Sequence, residues 1–210
     1  MPIAREGWPL ILVPLGLAVV LFLLRWPWTG GVLLLLGLFT AFFFRDPDRA
    51  VPADPRLVLS PADGKVIVAG PAPAGNPLGE GATQVSVFLS IFDVHVNRAP
   101  IGGLISRVEY HEGQFLPAFQ DKASLANEQN SVTIDAGGAG QRVAFKQIAG
   151  LIARRIIFKK QVGDTVAAGE RVGMIKFGSR VDVFLPRNVL LRVRKGDRVV
   201  AGVSALGERP

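Results

Sequence analysis

The sequence predicts a mainly β protein, a sandwich or barrel of short strands preceded by an apolar helical hairpin. Three observations carry this expectation. Beyond residue 60 the chain breaks into short β-branched runs separated by Gly- and Pro-rich clusters, the pattern of many short strands joined by turns. A Gly-Asp-x-Val-x-Ala-Gly element occurs twice, as Gly163–Gly169 and Gly196–Gly202, the second copy offset from the first by 33 residues. The overall hydrophobic content of 49% is raised by two long apolar runs within residues 8–44.

The first apolar run extends from Trp8 to Leu24 and the second from Val32 to Phe44, with Arg25-Trp-Pro-Trp-Thr-Gly-Gly31 between them. Each is at or below the minimum of about 17 residues that an α-helix needs to span a bilayer. Two short helices meeting at a Trp-Pro-Trp tip form a membrane hairpin, since tryptophan favours the interface. Arg5 precedes the first run and Arg45 and Arg49 follow the second, which places both ends on the cytoplasmic side. The competing readings are a signal peptide, which lacks a clear small-x-small cleavage site here, and a soluble core hairpin. Residues 45–60 are rich in Pro and charge and read as a linker that ends in a first strand. The expected division is therefore 1–50, hairpin and linker, and 51–210, a β domain.

Within the β domain, strands are expected at Lys65–Ala69, Gln84–Ile91, Ile101–Tyr110, Ser131–Ile134, Arg142–Ile148 and Arg155–Phe158. Gly70–Gly81 and Asp135–Gly140 lack the apolar residues for a core and read as loops. Pro117–Asn130 is polar, with room for one helical turn. The two Gly-Asp-x-Val copies each read as a turn feeding a strand. Their arrangement resembles biotinyl and lipoyl carrier domains, in which two similar hairpins are related by a pseudo-twofold. This predicts a small, hammerhead-like β-sandwich with the segment around Ser179 between its halves.

Composition excludes several kinds of chemistry. The chain has no cysteine and two histidines, His95 and His111. Disulfides, zinc-thiolate sites, iron–sulfur clusters and thiol nucleophiles are ruled out, and no multi-histidine metal site is possible. Charge is uneven: residues 1–50 carry four basic and three acidic groups, residues 51–141 five and nine, and residues 142–210 fifteen and five. A basic final third suits an anionic surface. No nucleic-acid-binding motif accompanies it, so the expected surface is a membrane.

The stretch Met174–Pro186 is apolar and β-branched on both sides of Gly178-Ser179, which reads as strand, tight interruption, strand. Taken alone, Gly-Ser is an ordinary turn. In strained backbone with a base nearby, the same hydroxyl can attack its preceding peptide bond. Pro61-Ala-Asp-Gly64 sets Asp63 at a sharp turn, where a structural role is the plainer reading. His95 follows an apolar strand inside Phe92-Asp-Val-His-Val-Asn-Arg-Ala-Pro100, and a lone histidine there is commonly structural. His111 sits beside Glu112 in a polar stretch and reads as solvated. Together Asp63, His95 and Ser179 supply an acid, a base and a nucleophile. Lys176 is the residue a carrier domain would modify, although it is followed by Phe-Gly-Ser rather than Met.

Five segments then carry a resemblance. Pro61-Ala-Asp-Gly64, Phe92–Arg98, Asn127-Glu-Gln-Asn130, Gln147–Arg154 and Gly173-Met-Ile-Lys-Phe-Gly-Ser-Arg180 stand in this order, and the chain resembles the phosphatidylserine decarboxylases of the short bacterial form over nearly its whole length. It departs at Gln129, where Asn-Glu-Arg-Asn is expected. The resemblance implies a proenzyme that cleaves itself between Gly178 and Ser179, with Ser179 as nucleophile, His95 as base and Asp63 orienting it. Ser179 becomes a pyruvoyl group, the covalent cofactor, and no metal is implied. The products are chains 1–178 and 179–210, associated as a heterodimer, with higher oligomers possible. The implied reaction converts phosphatidylserine to phosphatidylethanolamine and carbon dioxide at the bacterial inner membrane, with the catalytic domain on its cytoplasmic side. His95 is also the implied proton donor in turnover. An archaetidylserine-type decarboxylase is the alternative lipid enzyme, because the motifs read only the serine end. A non-catalytic, membrane-anchored lipoyl-like domain is the alternative of another class. Phe92, Phe115, Leu116 and Phe119 are candidates for an apolar entrance, or for core.

Overall fold

The computed structural model describes residues 2–118, 123–137, 141–150, 155–176 and 178–210. They form two units, Met1–Asp48 and Arg49–Pro210. The first is a hairpin of two helices, α1 (Trp8–Leu23) and α2 (Pro27–Phe43). Pro27 opens α2, where its missing N–H costs nothing, and Arg25 makes the bend at φ 59°. The helices approach closely because Gly37 lies against Leu15 and Gly30 against Phe22 and the Ala18 carbonyl. A Cβ at Gly37 would fall 2.5 Å from Leu15 Cδ2. Small residues at helix contacts serve this purpose in apolar hairpins. The open end is clasped by backbone bonds from Ala4 N–H to the Phe44 carbonyl and from Asp46 N–H to the Pro2 carbonyl, both 2.8 Å. The helical stretch Arg5–Leu23 is long and apolar enough to cross a membrane, while α2 is shorter. Trp26 and Trp28 at the tip are exposed.

The second unit is mainly β. Its strands are β1 (Leu57–Leu59), β2 (Gly64–Pro71), β3 (Thr83–Leu89), β4 (Val96–Arg98) and β5 (Gly103–His111), then, after the one-turn helix α3 (Ala123–Ala126), β6 (Gln129–Asp135) and β7 (Arg142–Ile148). They continue with β8 (Ile156–Phe158), β9 (Thr165–Val166), β10 (Arg171–Ile175), β11 (Ser179–Leu185), β12 (Leu190–Leu191), β13 (Arg198–Val199) and β14 (Ala205–Glu208). The main sheet has eight strands in the order β13-β2-β3-β11-β7-β6-β5-β9 and curls into a half-barrel. Two three-stranded sheets, β1-β14-β12 and β4-β10-β8, complete the unit.

Alternation decides which face of the main sheet is core. Val85, Val87 and Leu89 of β3, Val181, Val183 and Leu185 of β11, Phe145 of β7 and Val132 and Ile134 of β6 are fully buried in one cluster. Residues between them, such as Ser86, Arg180, Asp182 and Ser131, occupy the other face.

The two Gly-Asp-x-Val copies become the two edges of this sheet. Asp164 and Asp197 each use a carboxylate oxygen to accept a backbone N–H three residues earlier, from Gln161 and Arg194. Gly163 N–H reaches the Ile105 carbonyl and Gly196 N–H the Val66 carbonyl. The strands that follow, β9 and β13, pair with β5 and β2 respectively. Each copy ends on a glycine at positive φ, 74° at Gly169 and 70° at Gly202. The repeat in sequence is thus a pseudo-twofold in structure. Expected strand positions agree with those found to within a few residues, with three additions: Val96–Arg98, Leu190–Leu191 and Ala205–Glu208 are strands as well. Pro117–Asn130 contains the expected helical turn, but β6 already begins at Gln129.

Candidate active site

β10 belongs to the small sheet and β11 to the main sheet, so the chain crosses from one to the other between Ile175 and Ser179. Gly178 makes the corner at φ 60°, a left-handed conformation that costs other residues roughly 1 kcal/mol or more. Ser179 is the first residue of β11, and alternation turns its side chain to the core face with Val181. It is fully buried, and its Oγ has no hydrogen-bond partner among the described residues. A buried hydroxyl left unpaired is costly and marks a place where a polar atom is kept for another purpose.

The Gly178 carbonyl is seated against Gly150. A Cβ built on Gly150 would lie 2.0 Å from Gly178 O and 3.1 Å from its carbonyl carbon. Only a glycine lets the two backbones approach so closely. Sequence reading grouped Gly150 in a motif without a role, because this clearance exists only between segments distant in the chain.

His95 immediately precedes β4 and is fully buried. Its Nδ1 lies 2.9 Å from the Asp93 carbonyl oxygen. A carbonyl only accepts, so Nδ1 carries the proton and Nε2 is the basic nitrogen. Gly178 N–H donates to that Nε2 at 3.3 Å. The structure therefore brings His95 to the Gly178-Ser179 dipeptide, 83 residues away in sequence.

Asp63 is engaged elsewhere. Its Oδ2 accepts from Arg49 Nη2 at 2.9 Å and its Oδ1 from Ala201 N–H at 2.8 Å. Burial pushes its carboxyl above the ordinary value of 3.8, opposed by the Ala201 amide and by Arg49, while the charge of Asp93 pushes it further up. Asp63 thus lies close enough to Asp93 to feel its charge, and it is the Asp93 main chain that fixes the His95 ring.

On the opposite face, Arg180 is held at 2.5 Å from Asp182 through Nε and at 2.9 Å from Ser86 Oγ through Nη2. Both partners of this ion pair are at least 97% buried, and breaking such a pair typically costs about 3–5 kcal/mol. The start of β11 is anchored directly beside Ser179. Sequence reading missed this anchor, since Asp182 and Ser86 carry no motif. On the core face, Asn97, Gln147 and Asn130 are buried and joined in one hydrogen-bonded row.

The remaining candidates are placed as follows. His111 is exposed and borders a polar cavity of about 440 Å³ that Lys146, Gln129 and Ser131 also line. Phe92 is 63% exposed, Phe115 packs against the core cluster and Leu116 is half-buried. Phe119, Phe177 and 151–154, the end of the Gln147–Arg154 segment, lie outside the described residues.

A buried hydroxyl without a partner, a carbonyl in a tight seat and an imidazole turning its acceptor nitrogen to the same dipeptide are the parts of an acyl-transfer centre. Comparison with known proteins supplies the class. The chain is 54% identical to a phosphatidylserine decarboxylase proenzyme of Solibacter usitatus over 177 residues, covering 84% of this chain and 82% of that protein. It is 44% identical to the proenzyme of that name from Geotalea uraniireducens, over 100% of this chain and 97% of the relative. It is 46% identical to the one from Solidesulfovibrio magneticus, over 99% and 96%. These relatives place it among decarboxylases made as proenzymes. The family model for phosphatidylserine decarboxylase matches residues 36–207, and the chain belongs to that family.

Proposed function

We propose that this chain is a self-processing phosphatidylserine decarboxylase that cleaves itself between Gly178 and Ser179. The observation that carries the reading is the 3.3 Å contact between His95 Nε2 and the Gly178 amide, with the unpartnered Ser179 Oγ one residue on. In maturation, Ser179 Oγ replaces the Gly178 N–H as donor to Nε2 and gives up its proton there. It attacks the Gly178 carbonyl carbon, the C–N bond breaks, and Ser179 gains a free amine and an ester to Gly178. Loss of the Ser179 Cα proton then expels Gly178 as a carboxylate. The dehydroalanine left behind tautomerises, and water hydrolyses it to a pyruvoyl group with release of ammonia.

The pyruvoyl origin fits the residues present: the precursor is a buried serine whose Oγ has no hydrogen-bond partner among the described residues. A pyruvoyl carbonyl supplies the electron sink that decarboxylation of an amino-acid headgroup requires. His95 holds its Nδ1 proton on the Asp93 carbonyl, so Nε2 is the atom that accepts a proton in maturation and returns one in turnover. Asp63 enters as a positioning residue that ties Arg49 and the Ala201 amide together beside Asp93.

Cleavage does not set the small chain free in this reading. β11, in residues 179–210, is paired on one side with β3 and on the other with β7, both in residues 1–178. The exposed apolar side chains of the hairpin, among them Leu12, Val13 and Leu35, anchor the enzyme in the membrane that contains its lipid substrate. Arg5, Arg45 and Arg49 keep the β unit on the cytoplasmic side.

The test is Ser179→Ala. Intact mass should show one uncleaved chain without decarboxylase activity, where the unaltered protein shows two chains and a small chain lacking an N-terminal amine. Two chains in Ser179→Ala would overturn the cleavage assignment.

A further inference from the structure

Three of the sequence segments noted above each hold an amide side chain with no part in the chemistry so far: Asn97 in Phe92–Arg98, Asn130 in Asn127–Asn130 and Gln147 in Gln147–Arg154. The fold makes them one relay. Asn130 Nδ2 donates to Gln147 Oε1 at 3.0 Å, Gln147 Nε2 to Asn97 Oδ1 at 2.9 Å, and Asn97 Nδ2 to the Pro61 carbonyl at 3.4 Å. The direction is forced. The Pro61 carbonyl only accepts, so Asn97 turns its amide nitrogen to it and its oxygen to Gln147, which in turn offers its own oxygen to Asn130.

The relay lies at the seam that the proposed chemistry must bridge. His95 immediately precedes β4 and Asn97 is its middle residue, two residues apart, the spacing at which side chains of extended chain leave on the same side. Gln147 of β7 stands opposite Val181 of β11. Val181 is two residues, about 7 Å, along the same strand face from Ser179. Asn130 of β6 stands opposite Gln147. β4 is paired with β10 inside the small sheet; beyond that pairing, Gly178 N–H to His95 ties this segment to the cleavage dipeptide, and Gln147 to Asn97 ties it to the main sheet. The Gly178–His95 bond is spent when Ser179 Oγ takes over Nε2, while the Gln147–Asn97 bond still fixes β4 to the main sheet that carries Ser179. Asn97 and Gln147 are fully buried and Asn130 is 3% exposed. Apolar side chains would fill this space without any polar desolvation, so what three buried amides add is direction and spacing.

We propose that Gln147, through Asn97, is the positioning residue that sets His95 against the Gly178–Ser179 bond. This rests on the self-cleavage reading above. Misplacement of a reacting pair by about 1 Å costs on the order of 10²-fold in rate, and the Gln147–Asn97 bond is a side-chain tie between the small sheet that holds β4 and the main sheet that carries Ser179.

The experiment follows self-cleavage by intact mass in the full-length protein, with thermal melts as the check on folding. Gln147→Met keeps the side-chain length but neither donates nor accepts usefully. It is expected to melt cooperatively and to mature roughly 100-fold more slowly. The swap Asn97→Gln with Gln147→Asn keeps the summed length of the pair and restores the bond. It is expected to recover cleavage to within about tenfold of the unaltered chain. A folded Gln147→Met that cleaves at the unaltered rate overturns the proposal, as does a folded swap no faster than Gln147→Met. Failure of both variants to fold assigns the relay to general stability and also overturns it. The unaltered protein run alongside separates the two levels: if it never cleaves, the self-cleavage reading falls; if it cleaves and the variants match it, only the relay falls.

Discussion

The chemistry of this site is set by what surrounds a single peptide bond. Gly150 contributes no atoms to the reaction, yet the Gly178 carbonyl rests where its Cβ would be. Gly150→Ala must displace backbone on one side or the other. Overpacking of this kind typically costs about 1–3 kcal/mol, and the same displacement moves the carbonyl that Ser179 has to attack. The expected outcome is a folded protein whose cleavage, followed by intact mass, is slower by about 10²-fold. Normal maturation in Gly150→Ala would show that the seat is not needed. Asp63 offers a second test. Its pKa is raised by burial, so the folded chain holds this proton to higher pH than the unfolded chain does. Stability is then full below the ordinary value of 3.8 and falls as pH rises toward the raised one. Asp63→Asn cannot ionise and should lose that fall. Melting temperatures from acid to neutral pH, compared in an uncleaved Ser179→Ala background, check it; parallel curves would remove the assignment. Asp63, His95 and Ser179 were legible as residue types beside turns and strands. That the Asp93 main chain, and not the Asp63 carboxylate, holds the His95 ring was not legible, because a backbone carbonyl carries no sequence signal.

At the scale of elements, local periodicity was informative and partner choice was not. The alternation in Gln84–Ile91, Arg142–Ile148 and Met174–Pro186 reads as strand from sequence because burial on one face needs it. The sandwiching of β11 between β3 and β7 depends on contacts across the whole unit, which no window of sequence contains. The same limit explains β4. Val96-Asn-Arg98 is too short to show a period, and it becomes a strand because β10 lies beside it. The repeat is the exception, since two equal turns 33 residues apart imply two equal surroundings. Those surroundings are the matching edges of one sheet, with Gly169 N–H on the Ala99 carbonyl and Gly202 N–H on the Ser60 carbonyl. The pseudo-twofold also gives β11 a central place in the sheet, which suits a strand expected to acquire a new terminus. β3 pairs with it from Ser179 to Leu185 and β7 from Arg180 to Phe184, so the terminus forms without loss of the strand.

Over the whole molecule, the hairpin and the β unit divide between Asp48 and Arg49, two residues from the boundary that composition suggests. The difference matters because Arg49 carries the cation that pairs with Asp63. Every residue proposed to act in cleavage lies in 49–210. A fragment starting at Arg49 should therefore stay in solution without detergent and still cleave into two chains. A fragment starting at Val51 has the same sheets but leaves Asp63 with only the Ala201 amide. The Arg49 and Asp63 side chains are 19% and 14% exposed, between the surface pairs worth about 0–1 kcal/mol and the fully buried ones in which removal of one partner costs about 3–5 kcal/mol. The shorter fragment is expected to melt several degrees lower and to mature more slowly. Side-by-side melts and cleavage time courses decide this, and equal behaviour would show that the ion pair contributes nothing to the site. Both fragments, once cleaved, should act better on a dispersed short-chain phosphatidylserine than on lipid in vesicles. The full chain should favour vesicles, because an anchor raises the local concentration of a substrate confined to the same surface. If the fragment starting at Arg49 matched the full chain on vesicles, the hairpin would have no part in bringing enzyme to lipid.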